Sequence, residues 1–464
     1  MQKVYGKKKR GIRIVGVICF WLCLWQAGAL LADNSLLLAG PVETLLVFVR
    51  EAATAVFWQT VLFSMCRIFT GFFLACLLGS LLGILSFRFP FWGELFSPFM
   101  LFCKAVPVAS FAVLLLIWWG AEWLSVTVCF LVVLPVVYVS FLEGLKSCDR
   151  KLLEMAEVFK MPFYNRAFYL YRPALSPFVE SCLKTSLGMG IKAGVAAEVI
   201  GIADRSIGGA LYQSKIYLDT AGVFAWTATV VLLSFFTEKS ALWLWHAFCK
   251  WKPVPGKATK RVKQAEKREF ADIHLQGVSK AYGDSRVLSG VTKMLAAGRI
   301  YCLMAPSGSG KTTLLHIMAG TLKQDEGSFY AEQAGGKSVK QLRAAVVFQE
   351  DRLCEEETAL RNAELVCGDS RRAKACLLLL LPKEALLKPV KELSGGMRRR
   401  VCLARAILAE AEVLLLDEPF NGLDEDNRKM AADLIKKYQN GRLVVTATHE
   451  PADVSLLDGE IWEI

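Results

Sequence analysis

The chain has 464 residues, enough for two or three domains, and 54% of them are hydrophobic. With a mean hydropathy of +0.39 it is too apolar for an ordinary soluble protein. The formal charge of +12 would suit a nucleic-acid binder, but a basic linker directly after an apolar run marks a cytoplasmic membrane flank more simply, so no nucleic-acid partner is expected.

In chain order, apolar runs fall at roughly 12–31, 60–86, 98–119, 123–145, 178–202 and 222–248, each long enough to cross ~30 Å of hydrocarbon. Lys3, Lys7, Lys8, Lys9, Arg10 and Arg13 precede the first run, and Lys146, Arg150, Lys151, Lys160, Arg166 and Arg172 follow the fourth. The linker follows the sixth, while the opposite loops offer little beyond Arg50, Arg205 and Lys215. About six spans with both ends inside fit this asymmetry, so the N-terminus and the C-terminal half are expected on the cytoplasmic side of the cell membrane. A cleaved leader, built on Lys7-Lys8-Lys9-Arg10, an apolar run and Ala27-Gly28-Ala29, is the competing reading of the first run. The expected boundaries are a membrane domain at 1–248 with a loop of interest at 151–173, a basic linker at 249–269, and a domain of soluble α/β composition at 270–464. Lys192 and Glu198 lie inside a span, where an ionisable group is either functional or paired with a neighbouring helix or subunit seam. The 14 cysteines include no Cys-x-x-Cys pair and no zinc spacing, so neither disulfides nor a metal site are expected of them.

The loop reads Leu153-Glu154-Met155-Ala156-Glu157-Val158-Phe159-Lys160, then Leu170-Tyr171-Arg172-Pro173, a short amphipathic helix followed by a Pro-stopped turn. It resembles the EAA loop of ABC importer permeases. Glu154, Ala156 and Pro173 match that pattern, while Met155, Lys160 (for Gly) and Arg172 (for Leu) depart from it. The stretch 98–107 and Ala196-Ala197-Glu198-Val199-Ile200-Gly201, followed by Gly208-Gly209, are similar to nitrate/sulfonate/taurine-type permeases. The resemblance implies a type I importer permease whose loop helix couples to an ATPase, with Glu154 near 349–352.

In the C-terminal half, Ala305-Pro306-Ser307-Gly308-Ser309-Gly310-Lys311-Thr312-Thr313 follows a strand candidate at 300–304 and opens a helix at 314–319. That context makes it a P-loop, in which backbone N–H groups and a helix N-terminus cradle phosphate. Lys311 would reach the β- and γ-phosphates of ATP and Thr312 would ligate Mg²⁺. Ala305 replaces the usual first glycine. Val413-Leu414-Leu415-Leu416-Asp417-Glu418 is an apolar strand ending in two acids, which puts Asp417 near the metal and leaves Glu418 to polarise water.

Between these motifs, Leu393-Ser394-Gly395-Gly396-Met397 resembles the ABC signature. That resemblance implies further roles: Tyr282 stacking on adenine, Gln349 sensing Mg²⁺ and the attacking water, Asp424 in the D-loop, and His449 as the switch histidine. Phe348-Gln349-Glu350-Asp351-Arg352 and Met397 are similar to the nitrate/sulfonate/taurine ATPase group. The segment from 349 to 394 is short, and the helical subdomain and C-terminal helices are expected to be trimmed. The fold class expected is an all-α polytopic membrane domain followed by an α/β P-loop NTPase. ATP sandwiched between one P-loop and another chain's signature implies a symmetric homodimer in a lipid bilayer. The implied activity is ATP-driven import of a small solute, of nitrate/sulfonate/taurine or vitamin-precursor type, delivered by an extracytoplasmic binding protein. An exporter, and a membrane-anchored ATPase that signals or remodels, are the rival readings.

Overall fold

The computed structural model describes residues 2–32, 34, 36–251, 271–306, 308–333, 337–339 and 342–464. Ser307 and linker residues 252–269 lie outside them. The chain divides into two compact units, one of Met1–Ser147 with Ala174–Trp251 and one of Cys148–Pro173 with Lys252–Ile464.

The first unit is helical: α1 (Gln2–Ala32), α2 (Pro41–Ala52), α3 (Ala55–Arg88), α4 (Pro90–Ala105), α5 (Val108–Lys146), then, beyond the segment that joins the second unit, α8 (Arg172–Gly201), α9 (Ile207–Ile216) and α10 (Thr220–Lys250). Among the described residues, four helices are long and apolar enough to cross a membrane: the Val15–Ala32 part of α1, α3, α5 and α10. The run expected as one span at 98–119 is two pieces. Val106 and Pro107 are extended, because a residue before proline is pushed out of the helical region and proline donates no N–H, so α4 ends and α5 begins there. Gly120, at φ 76°, then breaks α5 where a boundary between spans was expected. The run at 178–202 lies in α8, whose Glu180, Lys184, Lys192 and Glu198 lower its hydropathy.

Helix α3 packs along α5 through small residues. A Cβ on Gly79 would come within 3.0 Å of the Val137 side chain, and one on Gly83 within 3.2 Å of the Tyr138 carbonyl. Such glycines let apolar helices approach closely where no hydrophobic gradient drives them together. Glu198, fully buried, accepts from Ser64 Oγ at 2.8 Å and from the Gly208 N–H at 3.2 Å, and Ser64 accepts in turn from the Ile207 N–H at 2.8 Å. The carboxyl thus ties α8, α3 and the start of α9, the helix-pairing alternative for this residue. Lys192 is exposed.

The second unit opens with α6 (Arg150–Val158), α7 (Phe163–Arg166) and a π-helical stretch, Ala167–Tyr171. Asp149 caps α6, accepting from the Lys151 N–H at 2.8 Å. Just beyond the helix and its C-cap Phe159, Lys160 takes a left-handed φ of 48°. Pro173 does not stop a turn as expected; it sits in the first turn of α8, which continues directly from the π-helical stretch.

The remainder is two sheets and their helices. β1 (Ala271–Tyr282), β2 (Ser285–Leu295), β4 (Glu326–Gln333) and β5 (Lys337–Val339) form an antiparallel sheet in the order β2-β1-β4-β5. β3 (Ile300–Met304), β6 (Ala344–Val347), β7 (Val413–Asp417), β8 (Leu443–Thr448) and β9 (Glu460–Glu463) form a parallel sheet in the order β6-β7-β8-β3-β9. β7 and β8 are buried throughout, as strands covered on both faces must be. The helices are α11 (Lys311–Met318), α12 (Ala359–Cys367), α13 (Ser370–Leu377), α14 (Gly395–Leu408), α15 (Glu425–Gln439) and α16 (Pro451–Leu457).

Candidate active site

Four parallel strands deliver their C-terminal ends to one edge of the sheet, where open α/β folds bind ligands. β3 leads into the P-loop, β6 into Gln349, β7 ends at Asp417, and β8 ends just before His449.

The loop after β3 is shaped by Gly308 and Gly310, at φ 85° and 95°. At Gly310 a Cβ would also meet the Val287 carbonyl at 2.9 Å, so only glycine fits. Ala305 takes no positive φ, which is why alanine serves in the place of the usual first glycine. Its carbonyl and that of Pro306 accept from Lys311 Nζ at 2.5 and 2.9 Å, holding the ammonium inside the loop. Ser309 Oγ is buried with no hydrogen-bond partner among the described residues, an orphan that an anion in the loop would satisfy. Asp417, 4% exposed, accepts a hydrogen bond from Thr312. Burial raises the Asp417 carboxyl above its ordinary range, opposed by that bond. A hydroxyl and a carboxylate side by side are the hard oxygen donors that Mg²⁺ takes when phosphates supply the rest. The residues present therefore fit a magnesium–nucleotide.

Glu418 follows at φ 47°, a left-handed conformation that costs a non-glycine about 1–2 kcal/mol. Its N–H donates to the Ala447 carbonyl at 2.9 Å. Its carboxylate accepts from Asn421 Nδ2 at 3.2 Å and lies 3.5 Å from His449 Nδ1. The expected water-polarising acid and switch histidine are thus adjacent. Arg428 of α15 forks onto Glu450 and donates to the Leu423 carbonyl at 3.1 Å, linking the turn after His449 to the D-loop.

The signature forms a second cluster. Ser394 caps α14, accepting from the Met397 N–H at 3.4 Å. A Cβ on Gly396 would sit 3.0 Å from the Gly422 carbonyl, and Arg400 donates to Asn427 Oδ1 at 2.6 Å. Asn427 in turn donates its N–H to Asp424 at 2.9 Å, and that bond holds the Asp424 carboxyl below its usual range. Gly395 and Gly396 open α14 beside Asp424's turn, and Thr313 follows Thr312 in α11. Tyr282, 53% exposed, ends β1 with Lys280 Nζ 5.9 Å from its ring centre.

Gln349 leads into the loop that receives α6. Arg352 donates to Glu154 Oε2 at 3.0 Å and lies over the Phe348 ring at 3.9 Å. Lys151 donates to Glu350 Oε1 at 2.8 Å, and this bond lowers the Glu350 carboxyl. Phe159 packs under the buried Arg405 guanidinium, 5.2 Å from its ring centre, and Arg405 donates to the Arg352 carbonyl at 2.7 Å. Glu154 and the loop at 349–352 meet where the resemblance implied.

Two arginines of α14 were not anticipated from the sequence. Arg399 donates to the carbonyls of Phe348, Gln349, Asp417 and Glu418, and Arg405 is 1% exposed. A signal existed: Arg399 lies three, four and seven residues before Cys402, Leu403 and Ala406, the spacing of a buried helix face.

Two family models match the chain: the ABC transporter model over residues 288–421, and that of the binding-protein-dependent transport system inner membrane component over residues 75–244. The chain is 36% identical over 194 residues to an aliphatic sulfonates import ATP-binding protein of Corynebacterium glutamicum, covering 39% of this chain and 76% of that protein. It is 32% identical over 207 residues to the lipoprotein-releasing system ATP-binding protein of Bacteroides fragilis, covering 41% and 96%. Among solved structures it is similar to a dimeric bacterial ABC transporter cassette, at 29% identity, 41% and 94% coverage and a TM-score of 0.38. The chain belongs to the ABC transporter family, with a membrane-embedded, multi-pass importer permease and an ATP-hydrolysing ABC ATPase carried on one polypeptide.

Proposed function

We propose that the chain imports a small oxyanion-type solute, of which aliphatic sulfonates and sulfate are the models, received from an extracytoplasmic binding protein. The relatives' names supply the solute class: sulfonate import at 36% identity and sulfate/thiosulfate import at 34% identity. The direction is supported by the Glu154–Arg352 bond at 3.0 Å, which seats an importer-type loop helix on the loop that begins at Gln349. A symmetric homodimer in the cytoplasmic membrane, with the ATPase inside, provides two composite sites from one P-loop and one signature per chain.

In this reading Lys311, the P-loop N–H groups and Ser309 hold the phosphates, and Tyr282 stacks on the base. Thr312 and Asp417 would hold magnesium, with Gln349 sensing it, and the ion would neutralise charge on the phosphates. Glu418 orients and polarises the attacking water, and His449 fixes the carboxylate's rotamer. Ser394, Gly395 and Gly396 face the partner's nucleotide, and Asp424 shapes the seam between the sites. Closure of the ATPase pair pulls on α6 through Glu154 and Lys151 and alternates the permease's access.

The test is uptake of radiolabelled alkanesulfonate and sulfate into liposomes carrying the full chain, internal ATP and the purified binding protein. Uptake dependent on both ATP and the binding protein supports import. Efflux from preloaded vesicles would make it an exporter, and ATP hydrolysis without either flux would make it a signalling or remodelling ATPase.

A further inference from the structure

We infer that Arg399 is a positioning residue for ATP hydrolysis: its guanidinium clamps the loop that receives Glu154 to the backbone of Glu418, and so aims that carboxylate. The inference rests on the role proposed for Glu418.

The geometry is specific. One terminal nitrogen of Arg399 donates to the Phe348 carbonyl at 2.5 Å and the Gln349 carbonyl at 3.3 Å. The other donates to the Asp417 carbonyl and, at 2.6 Å, to the Glu418 carbonyl. These carbonyls stand just past β6 and at the end of β7, neighbouring parallel strands of the sheet. Four carbonyls at strand ends, those of Phe348 and Asp417 in buried bonds and those of Gln349 and Glu418 in part-buried ones, take donors, and a planar fork with several N–H groups reaches both ends at once. The guanidinium is 4% exposed, with the Asp351 carboxylate 3.7 Å away. A charge is therefore kept in the interior and spent on backbone carbonyls, as a surface ion pair would not require.

Glu418 explains why. Its left-handed φ of 47° persists only where its surroundings over-determine it. Ala447 holds its N–H and Arg399 its carbonyl, so the peptide planes on both sides of its Cα are fixed. Without the guanidinium, the Glu418–Pro419 plane can rotate and φ can relax, carrying the carboxylate away from His449. The same guanidinium holds the backbone of Gln349, three residues before the Arg352 that engages Glu154. One side chain thereby joins the seat of the coupling helix to the carboxylate, while Lys311 and Thr312 stay in place.

The experiment measures kcat and KM for ATP of the full chain in liposomes, for Arg399→Met, Arg399→Lys and Glu418→Gln. Arg399→Met removes the donors and keeps the stem; kcat should fall about 100-fold, as misplacement of a reacting group does, with KM within about three-fold. Arg399→Lys returns a charge and fewer donors and should restore about ten-fold of the loss. Unchanged kcat in Arg399→Met, equal loss of affinity and turnover, or no recovery by lysine would overturn the inference. Should Arg399→Met fail to fold, Arg399→Lys decides: a lower kcat at unchanged KM supports the clamp, and any other pattern overturns it. Turnover retained in Glu418→Gln would strike the proposed mechanism itself. A silent Glu418→Gln beside a wild-type Arg399→Met would strike this inference alone.

Discussion

Helix packing in the first unit and the strand ends of the second solve the same problem, fixing backbone against backbone, by opposite means. Along α3 the fit against α5 comes from what is missing: Gly71, Gly79 and Gly83 have no side chain, and the facing carbonyls and side chains fill the space. At the ends of β6 and β7 the fit comes from what is added, a buried guanidinium on four carbonyls. Apolar helices already satisfy their own backbone, so they need only close approach. Strands that end at a reaction site leave carbonyls over, and a polar side chain must finish them. Shape holds one unit, and directed bonds hold the working edge of the other.

The largest test of that contrast is Glu418→Gln. The substitution keeps the side chain's volume and its Asn421 neighbour but removes the charge that would polarise water. ATPase turnover should fall about 100- to 1,000-fold with nucleotide binding retained. Lys311→Ala should lose binding as well. Near-normal steady-state hydrolysis in Glu418→Gln would mean that the bonds around this residue serve the fold and not the reaction.

Next in size is Gly71→Val, aimed at the other half of the contrast. Even a Cβ there would run into the Val126 carbonyl. Overpacking of this kind costs about 1–3 kcal/mol, or roughly 2–4 °C of Tm per kcal/mol in a unit of this size. Thermal unfolding in detergent followed by circular dichroism measures it. A Tm equal to that of the unaltered protein would show that α3 and α5 do not rely on glycine shape.

What was legible in the sequence divides along the same line. The P-loop, Asp417-Glu418 and the signature are contiguous stretches whose chemistry is written in residue type and spacing, and the structure sets each at a strand end or helix start. Arg399 was not legible in that way, because its partners are main-chain carbonyls from two strands far apart in sequence and a carbonyl has no sequence identity. In the membrane half, runs that are apolar all round carry no face to read. The span expected at 98–119 was drawn across Pro107, although a proline there signalled the break between α4 and α5. The helical partner of Glu198 was equally hidden, since Ser64 lies 134 residues away.

Glu154→Ala tests whether the polar contacts of α6 carry a signal or merely stability. Glu154 is 36% exposed, so the bond to Arg352 adds little to folding once water screens it. Uptake should fall about 5- to 10-fold, the scale of a coupling free energy between sites, while basal ATPase stays within about two-fold. Uptake that survives with unchanged stimulation by the binding protein would remove the coupling role from this contact.

The smallest effect compares two left-handed residues of the second unit. Glu418 and Lys160 both hold φ near 48°, at 47° and 48°, yet only Glu418 has its carbonyl held by a guanidinium. Lys160 stands where the EAA pattern has glycine, and it ends α6 by donating its N–H to Glu157 at 3.0 Å while Met161 donates to Ala156 at 2.9 Å. Those bonds need the left-handed conformation but not a lysine. Its strain, about 1–2 kcal/mol, therefore aims no reacting group. Lys160→Gly should release that strain, less about 0.5–1 kcal/mol for the greater freedom of an unfolded glycine. The balance is a Tm rise of about 1–4 °C for the second unit, with ATPase turnover unchanged. At Glu418 the same exchange would release similar strain and abolish hydrolysis, because there the conformation aims a carboxylate. A fall in Tm for Lys160→Gly would mean that the lysine's stem or charge stabilises α6 by more than its backbone costs.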